Sequence, residues 1–356
     1  MRARDLASNA AGAAPSSSGY TQRIASLQDS SVACRMGLGR RDMKIAVVGS
    51  INTDITLRVA EFPRRNETII GRGDYLISQG GKGANQAAAA AATGAEVLMV
   101  GCVGSDDFGT RALEDLKTLG VDCSAVRRSA EHATGLAAIH LDRHGDNFIT
   151  VAPGANAALS ARDIEVAAPL IAGCDVVMLQ LEIPWPAINA TLRIAVEAGV
   201  RVLLDPAPAP QGPLECLADV DLLTPNEVEA EALTGIAPDD DSRARACAQR
   251  LLEQGARTVV LTLGGRGCLL VDRSGYSERL EAYPVDVVDT TGAGDVFSGF
   301  LAGALARGMD VPEAVRVAVA ASAVAVTRSG ARSSLPGWQE VTAFRNIRQS
   351  SADHRA

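Results

Sequence analysis

The run Asp289-Thr-Thr-Gly-Ala-Gly-Asp295 joins a glycine turn to a carboxylate, and an apolar stretch, Val296 to Gly303, follows at once. A strand-like segment over 283–288 leads into it. A strand, a Gly-rich turn and a helix start leave bare main-chain N–H groups around an anionic ligand. Asp295 sits at that helix start, where it can take the proton from a hydroxyl attacking whatever anion the turn holds. This is the chemistry of phosphoryl transfer, with Asp295 as the base.

Five further stretches carry polar groups just after strand-like runs. In Gly49-Ser-Ile-Asn52-Thr-Asp54, two polar side chains two apart can bind adjacent hydroxyls of a polyol, or simply make a turn or cap. Gly80-Gly81-Lys82-Gly83-Ala84-Asn85-Gln86 is not a P-loop: that pattern needs a glycine where Leu76 stands and a serine or threonine where Gly83 stands. Its glycines let backbone approach a ligand closely, with Asn85 aimed at it and Lys82 adding charge; otherwise it is a loop with a solvated lysine. Glu182, at the end of Met178-Leu-Gln-Leu-Glu, is equally a sugar-hydroxyl ligand or a surface acid. Asn226 and Glu229 share one helical face and can order the water around Mg²⁺, or form a capping box. Thr262-Leu-Gly264-Gly-Arg-Gly267 reads as a hairpin turn or as a bed for a nucleotide.

The elements positioning these groups follow from apolar patterning. Strands are expected at 44–49, 96–101, 175–181, 200–204, 220–223, 257–263 and 267–272, and helices at 83–93, 107–119, 161–171, 186–198, 242–254, 294–307 and 312–326. Near-continuous Val/Leu/Ile strands alternating with helices imply a mostly parallel sheet covered on both faces. Ligands then bind at the carboxyl ends of the strands. Residues 53–79 and 133–152 break this pattern with short alternating strands and a hairpin at Gly145, so a small separate sheet is expected, placed as a lid. Residues 1–42 lack apolar periodicity and read as a disordered extension, with a transit peptide as the alternative; 43–340 is the main domain and 341–356 a C-terminal tail.

The 356 residues carry a net charge of −8 and no basic run in the body, which argues against nucleic acid or anionic membranes as partners. Seven dispersed Cys without a Cys-x-x-Cys pair and four His at no metal-ligand spacing point to reduced thiols and a cytoplasmic location. No apolar run reaches the ~18 residues of a membrane helix.

Together these stretches resemble the ribokinase (phosphofructokinase-B type) family of carbohydrate kinases, from about Met43 to Leu335. Gly80–Gln86 and Asp289–Asp295 correspond to its two signatures, and Gly154–Ser160, Asp205–Pro208 and Thr224–Glu227 are similar to its ribokinase branch. The resemblance implies a three-layer α/β/α Rossmann-like fold with a small β-sheet lid that pairs with another subunit in a homodimer. The implied reaction is ATP-dependent phosphorylation of D-ribose at the 5-hydroxyl. Asn52, Asp54, Gly81, Lys82, Asn85 and Glu182 would hold the sugar. The N–H groups of Gly292, Ala293 and Gly294 would stabilise the transferred phosphate. Asn226 and Glu229 would organise Mg²⁺, and Thr262, Gly264 and Gly267 would line the ATP site together with Asn226 and Gly294. An activating K⁺ would sit among the Asp289 and Ser334 side chains and the carbonyls of Thr291, Ala325, Arg328 and Gly330.

Two departures stand out. Asp205 replaces a frequent Asn, and Val319 falls where the family has a polar neighbour of the adenine. The alternatives are a kinase of another sugar or nucleoside, such as deoxyribose or fructose, or a non-catalytic sugar-binding regulator. A dehydrogenase is disfavoured because the dinucleotide fingerprint is absent.

Overall fold

The first strand, β1 (Lys44–Val48), sets the architecture because its side chains enter two different cores. Ile45 and Val47 join one apolar cluster, Ala46 and Val48 the other. In the computed structural model, which describes residues 43–353, these clusters lie on opposite faces of one nine-stranded sheet. Its further strands are β4 (Glu96–Gly104), β5 (Val121–Ser129), β8 (Val176–Leu179), β9 (Arg201–Leu204), β10 (Leu222–Leu223), β11 (Thr258–Thr262), β12 (Cys268–Asp272) and β13 (Ser277–Leu280). The order is β13-β12-β11-β10-β9-β8-β1-β4-β5. All neighbours from β11 to β5 are parallel, and β12 runs antiparallel to both its neighbours, β11 and β13. Strands buried on both faces read as unbroken apolar runs, so the central strands are legible in the sequence.

Helices α1 (Lys82–Ala92), α2 (Asp107–Thr118), α7 (Ala293–Ala306), α8 (Val311–Ala325) and α9 (Trp338–Asp353) pack on the Ile45 face. Helices α3 (Ala161–Ile171), α4 (Trp185–Ala198), α5 (Glu227–Thr234) and α6 (Asp241–Glu253) cover the other. The result is a three-layer α/β/α fold. Local chemistry starts these helices: Ser160 and Asp163 form a capping box on α3, and Asp310 caps α8, whose second residue is Pro312. On the inner layer, α1 touches α7 closely, because a Cβ on Gly299 would fall 2.5 Å from that of Ala89.

A second sheet of four strands stands apart in hydrogen bonding: β3 (Leu76–Gly80), β2 (Asn52–Arg58), β6 (Gly135–Leu141) and β7 (Asn147–Ala152), in that order. It is built from the two segments whose alternation breaks the main pattern. The β6–β7 hairpin turns at Gly145, whose φ of 87° suits glycine.

Three features differ from the sequence reading. The segment 283–288 is not a strand: Pro284 has no N–H to give a ladder, and the Val288 and Asp289 amides both go to the Val326 carbonyl. The expected tail 341–356 instead supplies most of α9, where Val341 is buried in the core and Trp338 and Phe344 pack against it. The edge strands β5 and β13 have half-solvated, polar sequences, which hide them from an apolar search. The expected extension 1–42 lies outside the described residues. Among the described residues six cysteines are free and there is no disulfide. No described helix is long and apolar enough to cross a membrane.

Candidate active site

Asp295 lies in the first turn of α7 and is only 7% exposed. Each of its carboxylate oxygens has a side-chain amide donor from α1: Asn85 Nδ2 on Oδ2 at 3.1 Å and Gln86 Nε2 on Oδ1 at 3.2 Å. Burial raises the Asp295 pKa. Lys82 and the two amides oppose the shift without cancelling it. A carboxylate so held is a stronger base than a surface one, yet is presented in a fixed direction.

The donors converge because glycines let α1 start against β1 and β2. A Cβ on Gly83 would meet the Gly49 backbone at 2.7 Å, and one on Gly81, whose φ is 89°, would meet the Asn52 nitrogen at 2.7 Å. Lys82 opens α1, and its main-chain N–H donates to Glu182 Oε2 at 3.2 Å. Ser50 Oγ donates to the same oxygen. Burial works against the Lys82 ammonium, but Asp205, Asp295, Glu182 and Glu229 outweigh it and push its pKa up. A lysine facing four carboxylates remains charged, a fixed cation beside the Asp295 carboxylate.

Asn52 begins β2, is buried, and accepts from Asn156 Nδ2 at 2.7 Å. Asn156 in turn accepts from the Ile51 amide at 2.9 Å. A side chain on Gly135 would collide with both amides, so this glycine makes room for the pair. Asp54 follows on the same face of β2, and a Cβ on Gly80 would lie 2.2 Å from its Oδ2. Burial first, then the charges of Glu182 and Asp295, push Asp54 up to about 6, although Arg332 pulls it back. Asn52, Asp54, Lys82, Asn85, Glu182 and Asp295 therefore line one polar cleft where β2, α1, α7 and the loop after β8 meet.

Three residues of this cleft stand outside the set expected from sequence. Gln86 donates to Asp205 Oδ2 at 2.7 Å as well as to Asp295, and accepts from Gln180 Nε2 at 2.6 Å. Asp205 is almost fully buried, and its pKa rises to about 7, through burial and then through Glu229 and Asp295, against Lys82. The only sequence signals are Gln86 ending the first glycine motif and Asp205 standing where the family often has Asn. A third participant, Arg332, has none.

The turn expected to hold the anion has the following geometry. Gly292 caps α7 with φ 74°, and a Cβ at Gly294 would meet nothing within 4 Å, so the turn opens on free space. The Ala293 amide, however, donates to the Thr290 carbonyl at 3.2 Å, closing the turn on itself. Asn226 and Glu229 form the capping box of α5: Glu229 accepts from the Asn226 main-chain and side-chain nitrogens, both at 2.8 Å, and returns its own amide to Asn226 Oδ1 at 2.9 Å. Glu229 also acts electrostatically with Lys82 and Asp295. Thr262 ends β11, and its amide bonds to the Pro225 carbonyl at 2.9 Å, beside Asn226. Gly264 and Gly267, at φ 52° and 86°, make the β11–β12 hairpin turn.

Of the residues expected around a monovalent cation, the structure joins three: Asp289 Oδ2 accepts from the Gly330 amide at 2.8 Å, and Oδ1 from Thr291 at 2.9 and 2.6 Å. Burial would raise the Asp289 pKa, but these donors hold it below the usual range. Ser334 is fully buried and Ala325 ends α8, with its carbonyl accepting from the Arg328 amide at 3.0 Å. Among the described residues there is no group of three His, Cys, Asp or Glu that could hold a metal. Val319 is buried in the Ile45-side core.

The model of the pfkB family of carbohydrate kinases matches residues 42–338. The chain belongs to that family. Among its relatives, a ribokinase of Haemophilus influenzae is 39% identical over 300 residues, covering 84% of this chain and 97% of that one. A deoxyribokinase of Salmonella typhi is 33% identical over 308 residues, covering 86% and 100%. Among solved structures, an Arabidopsis thaliana ribokinase complexed with ribose and ATP superposes with a TM-score of 0.78 at 32% identity, over 85% of this chain and 98% of that one. In this carbohydrate kinase the cleft of Asn52, Asp54, Asn85 and Asp295 is the candidate sugar site. The α7 turn and the Thr262 loop make the candidate nucleotide side.

Proposed function

We propose that the chain phosphorylates D-ribose at its 5-hydroxyl with ATP, giving ribose 5-phosphate and ADP. The observation that carries this reading is the buried Asp295 carboxylate, held by Asn85 and Gln86 at the start of α7 and facing the polar groups of β2. Asn52, Asp54, Lys82, Asn85 and Glu182 bind the sugar hydroxyls; Gly81 brings backbone against Asn52. Asp295 takes the proton of the attacking hydroxyl as that oxygen bonds to the terminal phosphorus of ATP and the bond to ADP breaks. Main-chain amides at Gly292 and Gly294 face the charge gathering on the transferred group, and Lys82 adds a fixed positive charge nearby. The Ala293 amide joins them once it leaves Thr290.

Mg²⁺ bound with ATP supplies neutralisation of phosphate charge, and it binds few carboxylates while keeping much of its water. The Asn226–Glu229 pair fits that role as a polar margin rather than as a direct chelate. K⁺ fits the Asp289 loop because the carboxylate stays ionised and Gly330 and Ser334 lie in the same turn. The four-stranded sheet leaves Leu76, Phe148, Ile149 and Val151 exposed, an apolar surface that a second copy would cover in a homodimer.

Full-length likeness to a deoxyribokinase favours deoxyribose as the second reading. Coupled ADP release measured across ribose, deoxyribose, fructose and nucleosides, with and without K⁺, tests both. Highest kcat/KM on ribose supports the first; a preference for deoxyribose or fructose replaces it.

A further inference from the structure

Arg332 follows Gly330 in the turn that also carries Ser334, yet its guanidinium reaches into the cleft. Its side chain is 9% exposed. Nε donates to Asn85 Oδ1 at 3.0 Å, Nη2 donates to the Gly80 carbonyl at 2.9 Å, and Nη1 pairs with Asp115 of α2. Four parts of the chain meet on one planar group: the 329–334 turn, the end of β3, the start of α1 and the last turns of α2.

The bond to Asn85 has a consequence for the base. A carboxamide has one accepting and one donating end. With Arg332 on Oδ1, only Nδ2 can face Asp295, as observed at 3.1 Å. The flipped amide would set an oxygen against a carboxylate and an NH₂ against a guanidinium, two repulsions at once. Gly80 is equally confined, because a Cβ there would strike the Asp54 carboxylate. Arg332 thus acts through its neighbours: it fixes Asn85 and Gly80, two groups at the proposed sugar cleft.

We propose that Arg332 is a positioning residue for phosphoryl transfer, which sets the orientation of the Asn85 amide and couples the Gly330–Ser334 turn to the sugar cleft. This rests on the sugar-kinase reading above. The charged groups acting with or on Asp295 are Lys82 and Asn85's neighbour Arg332 on one side, and Glu182, Asp205, Glu229 and Asp54 on the other.

The test compares Arg332→Met, of similar length without a donor, and Arg332→Lys, which keeps charge but loses the planar fork. Loss of one charge-assisted hydrogen bond predicts a ribose KM roughly tenfold higher in both, with ATP KM changed less than about twofold. The acid limb of kcat moves to higher pH, since the base loses a fixed donor. In an Asn85→Ala background the same Arg332 substitutions change ribose KM by less than about twofold, because coupled residues are not additive. A folded Arg332 variant with wild-type ribose KM and acid limb overturns the proposal, as does a full tenfold effect persisting without Asn85. If Arg332→Met fails to fold, Arg332→Lys and the Asn85→Ala pair carry the decision. Ribose affinity by calorimetry gives the same comparison without turnover. Absence of any sugar phosphorylation by the wild-type chain would defeat the kinase reading separately, and the calorimetric ratios would still decide the Arg332–Asn85 coupling.

Discussion

Asn85 Nδ2 lies 3.1 Å from Asp295 Oδ2, joining the first turns of α1 and α7 across 210 residues of chain. The two helices also pack backbone to backbone at Gly299, so this hydrogen bond is set by a rigid contact rather than by two free side chains. The Asp295 carboxylate is therefore oriented before any ligand arrives, and in the proposed transfer this lowers the reorganisation needed.

Replacing Asp295 by Asn keeps the volume and one accepting oxygen but removes the base. Turnover should fall roughly 10²–10⁴-fold while ribose affinity by calorimetry stays within a few-fold. Near-normal turnover in Asp295→Asn would remove the mechanistic assignment.

Gln86 holds two buried carboxylates, Asp205 and Asp295, with one NH₂ group. Gln86→Glu would put a third acid between them. Like charges and burial both favour protonation, so the acid limb of kcat should shift upward. Stability should drop by about 1–3 kcal/mol for the lost buried donor. Chemical denaturation and a kcat–pH profile read the two effects; an unchanged profile would mean Gln86 does not act on the base.

Asp54 has a folded pKa of about 6 against an ordinary 3.8, through burial, Glu182 and Asp295. Because the folded value is raised, its contribution to stability is complete below pH 3.8 and is lost as pH rises through 6. Sugar binding runs the opposite way, since only the carboxylate accepts two hydroxyl donors. Ribose KM should rise as pH falls below about 6 and level off above it, and Asp54→Asn should flatten that dependence while raising KM throughout.

Asp289 stays ionised because Thr291 and Gly330 donate to it. Asp289→Asn should abolish most of the rate difference between K⁺ and Na⁺ buffers. Equal wild-type rates in the two buffers would count against a cation at this loop.

Gly83→Ala places a Cβ 2.7 Å from the Gly49 backbone, where neither side can yield as a side chain would. Overpacking of this kind costs about 1–3 kcal/mol. The start of α1 carries Lys82, Asn85 and Gln86, so ribose KM should rise along with the loss of stability. Loss of stability alone, with unchanged KM, would show that the helix start moves independently of the cleft.

The glycine motifs are legible because glycine marks close backbone approach, and here it does so at Gly81, Gly83 and Gly292. The central strands are legible because both faces are buried. Asn226–Glu229 is ambiguous from sequence, and the structure shows the capping-box arrangement. Helix α9 escapes a sequence reading because only a few of its residues, Trp338, Val341 and Phe344, are apolar contacts on the core. Arg332 escapes it because its partners, Asn85, Gly80 and Asp115, lie 247, 252 and 217 residues away along the chain.

Apart from the layered α/β class and the family resemblance, what the sequence determined by itself was local: where a strand must end, where a helix can start, and which turns carry a carboxylate or an amide. Those follow from backbone sterics, capping and hydrophobic period, all short-range. The folded chain decided which of those ends share a cleft, that Gln86 and Arg332 belong to it, and that burial strengthens Asp295 as a base. Orientation and pKa depend on groups brought together through space, and no spacing along the chain encodes that distance.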